Sequence, residues 1–376
     1  MGDKAMRLSR LVLWCAGLMA AATSAMPATA KVAAKTPAVP ALCAIAKPCA
    51  HPLPVRVVIV AMFEIGKDTG DVPGEFQLWK ERQHLDMRIP LPHSFHDLYY
   101  NPKTQVLGMV TGVGSIRSAA ALMAVGLDQR IDVSRAYWLI AGIAGIDPHN
   151  ASIGSAAWAR WLVDGDLGHE IDAREIPKDW PDGYFGRGQK GPNDRSPPRQ
   201  GQGEVFELNP ALANWAYNLT KDTPLPDSPS IAAERARYTG FPEAQRPPFV
   251  LMGDQLSALT FWHGKLMTDW ANRWVNYWTE GKGDFVTSAM EETGSFQSIE
   301  YLSKIGRADR DRVMVLRTGS NYTMPPPGVS AADYLLRENE GYAGLGVAVD
   351  SLYRVGVRVV DELLAHWPQY EKTTPR

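Results

Sequence analysis

The sequence predicts an α/β fold, a single three-layer domain around a central mixed, mostly parallel sheet. Three observations carry that expectation. Apolar, β-branched runs alternate with helical patterns along the chain, the order that feeds a parallel sheet. The first run, RVVIVAMF at 56–63, is apolar on both of its alternating faces, as a strand covered by helices on each side must be. The runs also end in small or polar residues, at 112–115, 142–145, 290–291 and 320–321, and ligands of such sheets gather at the carboxyl ends of strands.

Each element follows in order. Residues 98–100 and 106–110 flank an Asn-Pro-Lys-Thr turn at 101–104, a hairpin signal. Thr-Gly-Val-Gly-Ser at 111–115 is a tight turn, and an Ala-rich helix follows over 116–127. Residues 137–141 read as a buried strand ending in Gly-Ile-Ala-Gly, and 156–163 as another. Gly, Pro and polar residues crowd 180–203, which reads as a long excursion. A short helix is expected near 232–238, a strand at 249–252 and a helix over 265–279. Then come a strand at 285–289, a helix over 292–305 and a strand at 313–317. Ser330 and Asp333 open one closing helix with a capping-box pattern, and a second covers 345–366.

Composition narrows the class. The chain has 376 residues, 45% hydrophobic and 21% charged, enough apolar material for a packed core and too much for a disordered chain. A net charge of −2 gives no broad basic surface, so no nucleic-acid partner is expected. Lys4, Arg7 and Arg10 precede an apolar run at 11–22, and Ala28-Thr29-Ala30 follows. This is the three-part pattern of a secretory leader, residues 1–30, and predicts an exported, periplasmic or secreted protein. The run is short of the ~20 residues a membrane span needs, and no other run reaches that length. Residues 31–54 read as an Ala/Pro-rich arm, and 55–376 as the folded domain. Cys43 and Cys49 remain after cleavage; they either close a small loop in an oxidising compartment or stay as free thiols.

Candidate chemistry sits at the strand ends. The backbone amides of the 111–115 turn open a helix and suit an anion or a ribose oxygen, with Ser115 and Arg117 as the anion-binding candidates. The turn is neither a dinucleotide nor a P-loop motif. Glu291 follows a strand, and its carboxylate suits a sugar diol; a helix-start acid favoured by the dipole is the plainer alternative. Asn321 offers both donors and an acceptor to a purine edge. Trp270, Trp274, Tyr277 and Trp278 recur at helical spacing, as core aromatics do. His93 and His96 have no third partner in a ligand pattern, so no metal and no cofactor are expected.

These residues, in this order, resemble the nucleoside phosphorylase and nucleosidase superfamily and, within it, the purine nucleoside permease (NUP) family. The likeness covers about 55–366. It rests on VVIVAMFE (57–64), TGVGSIRSAAAL (111–122), AGIAGIDP (141–148), DGDLGHEID (164–172), MGDQ (252–255), SAMEETG (288–294) and VLRTGSN (315–321). The resemblance implies a nucleoside phosphorylase-like domain with long loop insertions and C-terminal helices. It places Met290 and Glu291 on the ribose and Ser320 and Asn321 on the purine, with Gly112, Gly114, Gly142 and Ala144 lining the substrate site. Asn321 would stabilise the departing base by hydrogen bonding, and Glu64 would act as general base. Ile143 stands where the superfamily usually has Ser, and Ile140 where hexameric phosphorylases have a basic residue. Two phosphate contacts are therefore lacking, and Arg117 is left as the substitute if phosphate is a co-substrate. Three functions follow as expectations: capture of purine nucleosides for uptake with a separate membrane transport partner, cleavage of their N-glycosidic bond by water or phosphate, or an interaction role for the 180–203 excursion. The oligomeric state is left open.

Overall fold

A computed structural model describes residues 42–376, apart from 46, 200, 339, 340 and 342. The expected leader, and the arm as far as residue 41, lie outside the described residues. Cys43 and Cys49 are joined by a disulfide. Leu53–Pro54 already pairs in parallel with Ile131–Asp132, just ahead of Val55.

A twelve-stranded mixed sheet forms the middle layer. Its first strand, β1 (Val57–Ala61), is buried throughout. Successive side chains of a strand point to opposite faces, and this one feeds two cores. Val58 and Val60 pack with Leu122, Val125, Phe296 and Ile299 on one face. Val57 and Ile59 pack with Leu352, Val355 and Val359 on the other. Each such side chain contributes roughly 1.5–3 kcal/mol by leaving water. Helices α1 (Ser115–Leu127) and α2 (Glu292–Lys304) cover the first face, and α3 (Leu345–Ala365) the second. The expected three layers are present.

The strands β2 (Met87–Ile89), β3 (Leu98–Asn101) and β4 (Val106–Val110) form one wing of the sheet. The β3–β4 hairpin turns where Asn101 Oδ1 accepts the amides of Lys103 at 2.9 Å and Thr104 at 3.3 Å. The strand β5 (Tyr137–Ile146) lies parallel to β1. It does not end at Ala141 as the glycines suggested. A long partner, β12 (Val313–Tyr322), runs parallel beside it from Trp138 to Ile146, so residues 142–145 are ladder and not turn.

The expected strand at 156–163 is two strands. One is β6 (Ala156–Trp158), which pairs with β12 and with β9 (Val250–Met252). The other is β7 (Trp161–Asp164), which pairs with β8 (Val205–Glu207) and β10 (Asp254–Ser257). The break is held by Asp254, whose Oδ1 accepts the amides of Arg160 at 3.0 Å and Trp161 at 2.7 Å. β11 (Phe285–Ala289) then joins β10 to the end of β5. Passing from β9 to β10 through Gly253, these pairings lead back to β5, so this half of the sheet closes on itself.

The helix Lys265–Trp278 buries Trp270, Trp274 and Trp278 against Val163, Leu256 and Phe285, as core aromatics. Among the described residues no helix is long and apolar enough to cross a membrane.

One contact fixes the two helix starts beside the site. A Cβ on Gly294 would overlap the Ser115 carbonyl. Gly294→Ala must therefore push α1 and α2 apart. Overpacking of this kind costs about 1–3 kcal/mol, read as a lower urea midpoint; an unchanged midpoint would show that the helices separate freely.

Candidate functional site

The carboxyl ends of β1, β5 and β11 and the late residues of β12 surround a cavity of about 170 Å³. Met62, Phe63 and Glu75 line it from β1 and the loop behind it, Ile143 and Ala144 from β5, and Met290 and Glu291 from β11. β12 adds Arg317, Ser320 and Asn321, and Phe261 also lines it.

Charge is concentrated at its floor. The Arg317 guanidinium is 2% exposed. It donates to Glu291 Oε2 at 2.8 Å, to the Glu292 carboxylate and to the Ile143 carbonyl at 2.7 Å. Glu75 Oε1 lies 3.8 Å from it. Glu75 also accepts the amides of Met62 and Ile143, each at 2.7 Å. Three buried carboxyl groups thus share one guanidinium. Burial pushes the Glu75 carboxyl up to about 7; Arg317 opposes that rise and Glu291 adds to it. Burial likewise raises Glu292. Burial disfavours the charged form of a carboxyl, so Glu75 sits between acid and base near neutral pH.

Of the residues expected in the site, Met290, Glu291, Ser320, Asn321 and Ala144 line the cavity. Gly114 touches it indirectly: its amide donates to Glu291 Oε1 at 2.9 Å. The helix-start amide expected to meet a ligand instead anchors the ribose candidate. Gly142 makes room, since a Cβ there would overlap the Arg317 guanidinium and come within 2.7 Å of Glu75 Oε1. Gly112 lies outside the lining as a turn glycine with φ +80°, and a Cβ there would meet Arg117 Cδ at 2.8 Å.

The other three expected residues lie outside the cavity lining. Ser115 begins α1 but is not in the cavity wall. Arg117 is exposed, and its Nη1 donates to the Val113 carbonyl at 3.3 Å; it does not reach the cavity. Glu64 faces its own loop. Its carboxylate accepts the amides of Ile65 at 2.8 Å, Phe76 at 3.0 Å and Gln77 at 2.5 Å, and that of Gly74. Those donors fold the 65–76 loop onto Glu64, and the loop carries Glu75 into the cavity instead.

Asn321 faces two ways. Its Oδ1 accepts from Ser320 Oγ at 3.0 Å, and its Nδ2 donates to Tyr322 O at 3.3 Å and Glu338 Oε2 at 3.4 Å. Glu338 ends the helix α4 (Ala331–Glu338), eight residues downstream of the Ser330 cap, whose Oγ accepts the Asp333 amide at 3.1 Å. Glu75, Glu292, Arg317 and Glu338 escaped the sequence reading. Arg317 alone carried a signal: a charge inside an apolar strand needs a buried partner.

The match to the family described as "Purine nucleoside permease (NUP)" spans residues 54–375. The chain belongs to the purine nucleoside permease family. A probable purine nucleoside permease of Schizosaccharomyces pombe is 30% identical over 292 residues, 74% of this chain and 81% of that protein. A purine nucleoside permease of Candida albicans is 25% identical over 324 residues, covering 85% and 77% of the two chains. Among solved structures, the futalosine hydrolase of Helicobacter pylori superposes with a TM-score of 0.50 at 15% identity, covering 82% of this chain and 98% of that one. That likeness shows the fold alone, and with it the nucleoside phosphorylase-like architecture expected from the sequence.

Proposed function

We propose that the cavity binds a purine nucleoside and that this member of the permease family serves purine nucleoside uptake from outside the cytoplasm. The observation that carries the reading is Glu291. Its carboxylate is anchored by Gly114 and Arg317, yet it lines the same cavity as Asn321. A fixed carboxylate accepts two ribose hydroxyls at little further entropic cost, while Asn321 serves the purine edge. The leader at 1–30 and the Cys43–Cys49 disulfide support export, because disulfides persist in oxidising compartments. Movement across a membrane would then require a separate membrane partner.

Glu291→Ala tests the pocket. Two charge-assisted hydrogen bonds are worth about 1.5–3 kcal/mol each, so inosine and guanosine affinity should fall by roughly 100-fold or more. Calorimetry on residues 31–376 reads it, and retained affinity would move the ribose elsewhere.

A second reading, hydrolysis of the N-glycosidic bond, is favoured by Glu75. Its carboxyl, raised to about 7, is suited to take a proton from an attacking water. Phosphorolysis is not favoured. The single guanidinium lining the cavity is engaged by three carboxyl groups, which a phosphate dianion would have to displace. The proposed reaction uses water and no cofactor.

A further inference from the structure

A second cavity, about 130 Å³, adjoins the first and shares Ser320 and Asn321 with it. Its wall is built by α4, through Tyr334, Arg337 and Glu338. The Glu338 side chain is buried and reaches the Asn321 amide. We propose that Glu338 sets which end of the Asn321 amide is offered to the purine, and so makes the preference between 6-oxo and 6-amino purines depend on pH. This rests on the reading that Asn321 meets the purine edge.

The chemistry follows from donors and acceptors. An ionised carboxylate can only accept, so it takes Asn321 Nδ2, as found here. Oδ1, which takes the Ser320 hydroxyl, keeps a second lone pair as an acceptor suited to a 6-amino group. A protonated Glu338 can also donate, and its O–H competes for Oδ1 once the planar amide turns over in place, a turn that gives up the 3.3 Å bond from Nδ2 to the Tyr322 carbonyl. Ser320 adapts to either arrangement. Its hydroxyl donates to Oδ1 now, and its second acceptor, the Ala144 carbonyl, lies at 3.2 Å. After the turn it would donate there and accept from Nδ2. The other Nδ2 hydrogen is then left for O6 or N7 of a 6-oxopurine.

The surroundings bring both states within reach. Burial raises Glu338 to about 8, Arg337 on the same helix opposes the rise, and Glu234 on the helix Pro229–Ala236 adds to it. Tyr334 donates its hydroxyl to Glu234 at 2.8 Å. His263, stacked on Tyr334, is held neutral by burial, which lowers it to about 4. Among the described residues of this wall, Glu338 is the carboxyl that burial brings toward neutral pH. It acts through Asn321, as a positioning residue.

Inosine and adenosine affinities, measured by calorimetry from about pH 6 to about pH 9, test the proposal in the wild type, Glu338→Gln and Arg337→Gln. In the wild type the inosine-to-adenosine preference should fall about tenfold as pH rises, the size of one exchanged hydrogen bond. In Glu338→Gln it should follow only the ionisation of the nucleosides themselves, which is common to all three proteins. Arg337→Gln removes an exposed cation and should move the wild-type transition to higher pH. A preference that tracks pH identically in wild type and Glu338→Gln, or a transition that Arg337→Gln does not move, overturns the proposal. Failure of the wild type to bind either nucleoside would instead sink the pocket assignment, and this inference with it.

Discussion

Arg317→Met should lower folding stability by about 3–5 kcal/mol, the range for removing one side of a buried ion pair. The guanidinium is the shared partner of Glu75, Glu291 and Glu292. Met fills much of the same volume, so the loss is chiefly electrostatic. Its pH dependence separates it from a packing defect. Burial already raises Glu75 and Glu292 in the folded protein, and without Arg317 both must rise further. A carboxyl raised on folding contributes stability that is full below its unfolded value and is lost as pH rises through the folded value. For Glu75 the difference between variant and wild type should therefore stay level up to about pH 7, where the wild-type carboxyl ionises, and widen above it. Urea unfolding of both proteins at about pH 5 and about pH 8 reads this. Equal destabilisation at the two pH values would show that the carboxyl groups are not held by Arg317.

The same cluster marks where the sequence was legible and where it was not. Local periodicity located β1, β4, β11 and α1 to within a residue or two, because each buries a face that its own residues specify. It cut β5 and β12 short, because glycine and polar residues near their ends read as turns. Only the partner strand shows that these residues are paired. Met290, Glu291, Ser320 and Asn321 were found from strand-end position and family likeness, and all four line the cavity. Glu75 was not, since a Glu in a Gly- and Asp-rich loop carries no local sign of burial. Its place depends on Glu64, 11 positions earlier, gathering the loop amides. The sequence reading chose the carboxylate next to the strand. The fold uses that one as an anchor and sends the later one inward. Arg117 failed for a related reason: a residue in the first turn of α1 is near the strand ends in sequence, but its side chain turns to the surface.

If the cavity cleaves nucleosides, Glu75→Gln should abolish most of that activity while leaving nucleoside binding within a few-fold. A positioned general base contributes about 10²–10⁴-fold to rate, and Gln keeps the shape and the acceptor for the Met62 or Ile143 amide without the basicity. Wild-type base release should rise with pH through about 7, where Glu75 becomes ionised, since only the carboxylate can take a proton from water. Glu64→Gln is the decisive companion. Its carboxylate is occupied by loop amides and lies outside the cavity lining. It should lower stability and loosen the 65–76 loop, with cleavage per folded molecule falling far less than in Glu75→Gln. Purified residues 31–376 incubated with inosine, guanosine and adenosine, with and without phosphate, report free base by chromatography. Release that needs phosphate would contradict the reading that Arg317 is kept from an anion by its three carboxyl partners. Loss in Glu64→Gln with retention in Glu75→Gln would return the base role to the strand-end carboxylate. Binding without release by the wild type would leave the cavity as a capture site, with Glu75 serving to hold the charge cluster together.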